Sequence, residues 1–157
     1  MAKSTRATLM LSRAGVRFTL HTYAYDPDAA RIGLQAAQAL GIDPARVLKT
    51  LIALVDGKPV CAVVPSHHEV SMKRLAVAFG GKSATMMAPL DAQRLTGYVI
   101  GGISPFGQKS QLPTAMEEQA FGPETVVVNG GQRGLQVELA PEDARRVLDA
   151  RRAALVA

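Results

Sequence analysis

The sequence predicts a single α/β domain of the α+β kind over residues 1–157, with a mixed, mostly antiparallel twisted sheet flanked by helices. Three observations predict it. Helical and strand patterns are interleaved along the chain. Two strand pairs are joined by short turns that make the paired strands antiparallel neighbours. No repeat, low-complexity tract or linker divides the 157 residues. Apolar residues form 48% of the chain, so a core can form without covalent staples. The one cysteine, Cys61, rules out an intrachain disulfide and suits a reducing, cytoplasmic setting. No apolar run has the length of a membrane span, and Met1–Arg13 lacks the apolar stretch and cleavage site of a signal peptide.

Each element follows from local chemistry. Ser4 to Ala14 is predicted helical, with Ser4 as N-cap and Gly15 as the stop. Val16 to Tyr23 alternates, with Val16, Phe18 and Leu20 on one side, and reads as a half-buried strand broken by Asp26-Pro27. Gly33 to Leu40 is an Ala-rich helix closed by Gly41, and Asp43-Pro44 pairs an N-cap with proline at the first helical position. Val47 to Val55 is an apolar strand, Asp56-Gly57 a hairpin turn, and Lys58 to Val64 the return strand. Ser71 caps a helix to Phe79, ended by Gly80-Gly81. Lys82 to Met87 is a short strand, Pro89 to Leu95 a short helix, and Gly97 to Gly107 a glycine-rich loop. Thr125 to Val128 and Leu135 to Leu139 form a second hairpin about Asn129–Arg133. Pro141 opens a last helix to about Arg151.

The familiar catalytic signatures are missing. There is no phosphate-binding glycine loop, no CxxC pair and no HExxH, and Pro105 spoils the only approach to a nucleophile elbow. His67-His68 are adjacent, so on a strand they point to opposite faces and suit one metal poorly. Neither a metal nor a cofactor is expected. Cys61, within Val60–Val64, reads as an inert core thiol. An enzyme built this way must take a substrate that is already reactive and work by positioning and electrostatics.

Three segments stand out. Lys49 interrupts the apolar strand and shares a face with Val47, Leu51, Ala53 and Val55. It is either an edge lysine that discourages aggregation or a pocket ammonium, and the residues alone weigh these equally. Gly97–Gly107 is glycine-rich yet apolar, which suits the wall of a site where the backbone closely approaches a ligand. Asn129–Gly134 is a sufficient hairpin turn by itself. The net charge of +5 and a pI near 9.7 fit a phosphate-bearing partner or ordinary solubility equally well. Much of that excess lies in Arg145, Arg146, Arg151 and Arg152, read as the solvated face and frayed end of the last helix.

The same segments carry a resemblance. Val47–Leu51, Thr96–Lys109 with its Gly101-Gly102-Ile103-Ser104-Pro105 core, and Gly130–Leu135 resemble the YbaK/EbsC family, with His21–Tyr23 and Asp26-Pro27 matching its N-terminal part. The similarity runs in order over nearly the whole chain. It implies a mixed α/β fold like the editing domain of bacterial prolyl-tRNA synthetases. It also implies trans-editing hydrolysis of mischarged tRNA, chiefly Cys-tRNA(Pro), without cofactor or metal. The lysine matching Lys49 is the family's key site residue. Tyr23 and Thr50 match pocket residues, and Gly101, Gly102, Ile103 and Ser104 match the loop lining that pocket. In the YbaK type the substrate's own thiol attacks its ester carbonyl; in relatives a tRNA hydroxyl helps activate water.

The chain departs from the YbaK pattern at Ile32 (usually phenylalanine), Asn129 (serine) and Gln136 (aspartate), all near the pocket. The amino-acid preference is therefore open, with Ala or a non-protein analogue as alternatives to Cys. The expected partners are aminoacyl-tRNA and, transiently, prolyl-tRNA synthetase, with the chain a monomer away from membranes. Lys73, Arg74, Lys109 and Arg133 are the candidate tRNA contacts. Two other readings remain: a non-catalytic tRNA- or synthetase-binding module on the same fold, and a small-molecule hydrolase, which would leave the basic excess unexplained.

Overall fold

The protein was analysed as a computed structural model describing residues 4–29 and 32–157, apart from the side chains of 32 and 33. Its elements are α1 (Arg6–Arg13), β1 (Thr19–Thr22), α2 (Ile32–Leu40), β2 (Val47–Val55), β3 (Lys58–Pro65), α3 (Met72–Ala78), β4 (Ala84–Met86), α4 (Pro89–Thr96), β5 (Thr114–Glu117), β6 (Val126–Gln132), β7 (Leu135–Leu139), α5 (Pro141–Leu148) and β8 (Arg151–Ala153). All eight strands join one sheet in the order β1-β7-β6-β2-β3-β5-β8, with β4 also on β2. Both expected hairpins are present, β2–β3 and β6–β7. Antiparallel pairing also joins β1 to β7 and β4 to β2, while β2–β6, β3–β5 and β5–β8 are parallel.

One face of the sheet carries the larger core, in which Leu48, Ile52, Cys61, Val63, Phe106, Met116, Val128 and Val137 pack with Leu11 of α1 and Leu148 of α5. On the other face α3 lays Leu75 and Ala76 over Ala53, Val55, Ala62 and Val64. Further along that face, Ala36 and Ala37 of α2 cover Val47 and Val127. Alternate residues of β2 thus serve different cores, as the two-residue period of a strand requires.

Several expected boundaries move, each for a local reason. The cap of α1 is Thr5 and not Ser4. Thr5 Oγ1 accepts from Thr8 N at 3.1 Å, Thr8 Oγ1 accepts from Thr5 N at 2.8 Å, and the Thr5 hydroxyl donates to the Gly130 carbonyl at 2.6 Å. The first strand begins at Thr19, where pairing with β7 begins; Val16 packs into the core ahead of it. Asp43-Pro44 starts only a 3-10 turn, Pro44–Arg46. The last helix ends at Leu148, where Asp149 adopts φ +50. Arg151 and Arg152 are therefore not a frayed helix end but lie on β8. There their guanidinium groups sit 4.7 Å and 4.5 Å over the rings of Phe79 and Phe121. Arg145 and Arg146 pair with Glu142 and Asp143. Strands β5 and β8 are additions that the sequence pattern did not indicate.

Two carboxylates organise the sheet's ends. Asp56, in the β2–β3 turn, accepts from Ser83 N at 3.0 Å and from Lys82 N at 3.1 Å, and so holds β4 beside the far half of β2. Glu138 on β7 accepts from Arg46 Nη2 at 2.8 Å and from the Thr125 hydroxyl at 2.5 Å, and lies 2.7 Å from His21 Nε2. The Thr125 hydrogen bond, then His21 and Arg46, hold its carboxyl below the usual 4.5 against the opposing effect of burial. A carboxyl depressed on folding stabilises above its unfolded pKa, and that contribution is lost as pH falls through the folded value. Thermal melts of Glu138→Gln should therefore fall below wild type at pH 7 and converge with it in acid. A constant gap across pH 7 to 3 would overturn this assignment.

Candidate active site

β2 carries the site. Along one edge it meets two strands in succession, β6 at Val47–Leu48 and β4 at Ala53–Val55. Between them, Lys49–Ile52 have no strand neighbour on that edge, and a cavity of about 390 Å³ opens there, within the range of small-molecule sites. Because it opens at a break in the sheet, the cavity draws on both faces. Lys49 comes from one face, beside Tyr23, Asn129 and Gln136. Thr50 and Ile52 come from the other, beside Met87, Ala92 and Ile103.

Of the residues singled out in the sequence, Tyr23, Lys49, Thr50, Gly101, Ile103, Asn129 and Gln136 all line this one cavity. Lys49 is half-buried, and among the described residues no carboxylate lies within ion-pair reach of it. Among the described residues, the cavity lining contains no acid, histidine or cysteine. Burial, together with neighbouring Tyr25, pushes the Tyr23 phenol above its usual pKa, with Gln136 opposing the rise. The Thr50 hydroxyl is buried and has no hydrogen-bond partner among the described residues.

The glycine loop is held from behind. Gly101 has φ +88, and a Cβ there would overlap the Tyr25 hydroxyl. Gly102 abuts the β6–β7 turn so closely that an added Cβ would meet Arg133 N at 2.9 Å and Gln132 C at 3.1 Å. Asn129 ties the two segments: its Nδ2 donates to the Gly101 carbonyl at 3.2 Å, and its Oδ1 accepts from Gly131 N at 2.7 Å. Arg133 Nε donates to the Ile100 carbonyl at 2.9 Å, with its guanidinium 5.2 Å from the Tyr25 ring centre. The Gly102 amide bonds Val99 O at 2.8 Å. The amides of Gly101 and Ile103 have no acceptor among the described residues. Gly101→Ala should cost about 1–2 kcal/mol from left-handed strain and displace Tyr25. Urea unfolding with a parallel activity assay tests this; wild-type values in both would overturn it.

Other sequence candidates stand elsewhere. Ser104 is fully buried, and its Oγ accepts from Phe106 N at 3.1 Å. Its carbonyl accepts from Gln108 Nε2 at 3.2 Å, so Ser104 shapes the loop behind the wall, as Gly102 does. Lys73 and Arg74 lie in the first turn of α3, where Arg74 Nη1 donates to the Val156 carbonyl at 2.8 Å. Lys109 is exposed and follows the glycine loop. The side chain of Ile32 lies outside the described residues. Cys61 is fully buried, and burial pushes its thiol up to about 12, against Gln108 and Thr114, so it offers no thiolate. Sequence reasoning missed Met86, Met87, Pro89 and Ala92 of the apolar lining, while Ile100 falls in the Gly97–Gly107 segment read as a wall. A usable signal was the pair of methionines beside a proline on a very short strand.

Comparison with known proteins decides the family. Residues 26–147 match the profile of the aminoacyl-tRNA editing domain. The chain belongs to the aminoacyl-tRNA editing domain family. It is 37% identical over 141 residues to EbsC of Enterococcus faecalis, whose name proposes a Cys-tRNA(Pro)/Cys-tRNA(Cys) deacylase; the match covers 89% of this chain and 85% of the relative. It is 30% identical over 96 residues to the proline–tRNA ligase of Geobacter metallireducens, covering 61% of this chain but only 16% of the ligase. A crystal structure described as a proposed trans-editing enzyme for prolyl tRNA synthetase superposes with a TM-score of 0.81. It has 22% identity and covers 99% of both chains, so the fold of this editing domain is shared throughout.

Proposed function

We propose that this editing domain acts in trans as an aminoacyl-tRNA deacylase that cleaves the ester of mischarged tRNA(Pro), carrying cysteine first and also alanine. Lys49 carries the reading: an ammonium in a cavity where no carboxylate among the described residues neutralises it, and which Gln136 lines where the YbaK pattern has aspartate. An unneutralised cation beside an ester stabilises the oxyanion that forms when its carbonyl is attacked. The amides of Gly101 and Ile103 supply further donors on the same wall. No side chain of the lining is an activated nucleophile, so attack comes from the substrate or from water. With a cysteinyl ester, the substrate sulfur bonds to the carbonyl carbon as the C–O bond to the ribose breaks. The thiol proton leaves with the ribose oxygen. With an alanyl ester, water takes that part and a tRNA hydroxyl assists. Met86, Met87, Ile52 and Ala92 present an apolar surface that sets no barrier between the two side chains.

Deacylation of Cys-tRNA(Pro) and Ala-tRNA(Pro) by the purified protein tests this. Turnover of both supports the reading, strict preference for Cys removes its broader half, and turnover of neither removes it altogether. The same proposal has the chain working in the cytoplasm as a monomer that meets prolyl-tRNA synthetase transiently; light scattering with and without the synthetase tests that part. Lys73, Arg74, Lys109 and Arg133 are its proposed phosphate contacts. Losing a true contact should lower the slope of log affinity against log salt by about one. An unchanged slope would remove that residue from the interface.

A further inference from the structure

The break in the sheet exposes more than side chains. Two hydrogen bonds fix which way the main chain of β2 points. Ser66 N donates to the Val47 carbonyl at 2.8 Å, so odd-numbered residues address β3. Met87 N donates to the Ile52 carbonyl at 3.1 Å, so even-numbered residues address the β6/β4 edge. Thr50 is the even-numbered residue in the middle of the break. Pairing with β6 ends at Leu48 and pairing with β4 begins at Ala53, so the N–H and C=O of Thr50 face the cavity with no strand opposite them among the described residues. The side chain of the same residue also carries an unsatisfied polar group: the buried Thr50 hydroxyl has no hydrogen-bond partner among the described residues. Left empty, such groups are a strand-pairing site one residue long.

We propose that the aminoacyl group docks as a single-residue addition to the edge of β2, its α-ammonium donating to the Thr50 carbonyl and its own carbonyl accepting from the Thr50 N–H. This deepens the deacylase reading and rests on it for the identity of the ligand. A residue paired in this antiparallel manner places its side chain on the same face as that of its partner. The substrate side chain then lies beside Thr50 Oγ1, against Met87, Ala92 and Ile103. Its carbonyl oxygen, held by the Thr50 N–H, keeps a second lone pair for the Lys49 ammonium as the oxyanion forms. Recognition of the amino acid as an amino acid resides in the main chain, and the side-chain lining selects only size and polarity.

The test is binding of hydrolysis-resistant amides to the ¹⁵N-labelled intact protein. The probes are 3′-(L-alanylamino)-3′-deoxyadenosine and its desamino counterpart, which carries a propionyl group in place of alanyl. The proposal expects the alanyl probe to shift the Thr50 and Ile52 amide resonances and to bind at least about tenfold more tightly than the propionyl probe. Equal affinities, shifts confined to Gly101 and Ile103, or no binding would each overturn it. Turnover is read separately. Amine-dependent binding without deacylation keeps this proposal and removes the deacylase reading; deacylation without amine-dependent binding does the reverse.

Discussion

Replacing Lys49 with alanine should lower kcat/KM for aminoacyl-tRNA by about 100-fold or more while leaving the fold in place. The expectation on rate comes from the size of oxyanion stabilisation by a single preorganised donor, about 3–4 kcal/mol. The expectation on stability comes from the position of the side chain. Lys49 is half-buried, and no carboxylate among the described residues loses a partner when it is removed. Its backbone pairing with Val64 persists in the variant. Lys49→Arg sharpens the test. It keeps the charge but replaces a compact ammonium by a larger planar fork, which no carboxylate among the described residues is placed to fix. Arginine should therefore fail to restore activity. Single-turnover deacylation with circular dichroism melts distinguishes the outcomes: near-native activity in either variant would remove Lys49 from direct contact with the ester.

Glu117→Ala should cause the largest loss of stability, on the order of 3–5 kcal/mol. Glu117 is 1% exposed and lies at the end of β5. One carboxylate oxygen accepts from Leu155 N at 2.7 Å and Val156 N at 3.0 Å; the other accepts from Gln119 N at 2.8 Å. Truncation leaves the buried amides of Leu155 and Val156 unpaired and frees that of Gln119, and each buried group costs about 1–3 kcal/mol, with partial relaxation of the chain. Glu117 lines no part of the cavity, so the folded fraction of the variant should keep its turnover. Glu117→Gln retains an acceptor on the same geometry and should lose less than Ala. Chemical denaturation at pH 7 measures both; a loss below about 1 kcal/mol for Glu117→Ala would show that solvent replaces the carboxylate.

What the sequence revealed and concealed divides along a physical line. β2–β3 and β6–β7 were legible because each is a local hairpin with its turn chemistry written between the strands. Asp56-Gly57 and the Asn129–Arg133 stretch fix register over a few residues. β5 and β8 were not legible, because both are held by parallel pairing to strands distant in the chain. Arg151 and Arg152 continue the polar pattern of α5, and only the left-handed turn at Asp149 separates helix from strand. The pocket divides similarly. Lys49 drew notice because a lysine on an apolar strand needs an explanation, and Asn129 and Gln136 only because they depart from the YbaK pattern. Met86 and Met87 did not, since apolar residues are read as core until a break in the sheet exposes them. Met86 is 49% exposed. No local pattern could show that β4 and β6 occupy one edge of β2 and leave a space between them.

The two sides of the cavity differ in stiffness. On the Asn129 side, backbone lies directly on backbone at Gly102, and the Asn129 amide joins the loop to the turn, so the two segments displace only together. On the opposite side stand two thioethers, the most adaptable side chains a core can use. Variation in substrate breadth is therefore concentrated at β4 and the start of α4. A directed-evolution library aimed at new aminoacyl esters should randomise Met86, Met87 and Pro89 and hold Gly101, Gly102 and Asn129 constant. On the proposed function, drift in the methionine wall changes which charging errors are tolerated without touching Lys49 or the glycine loop.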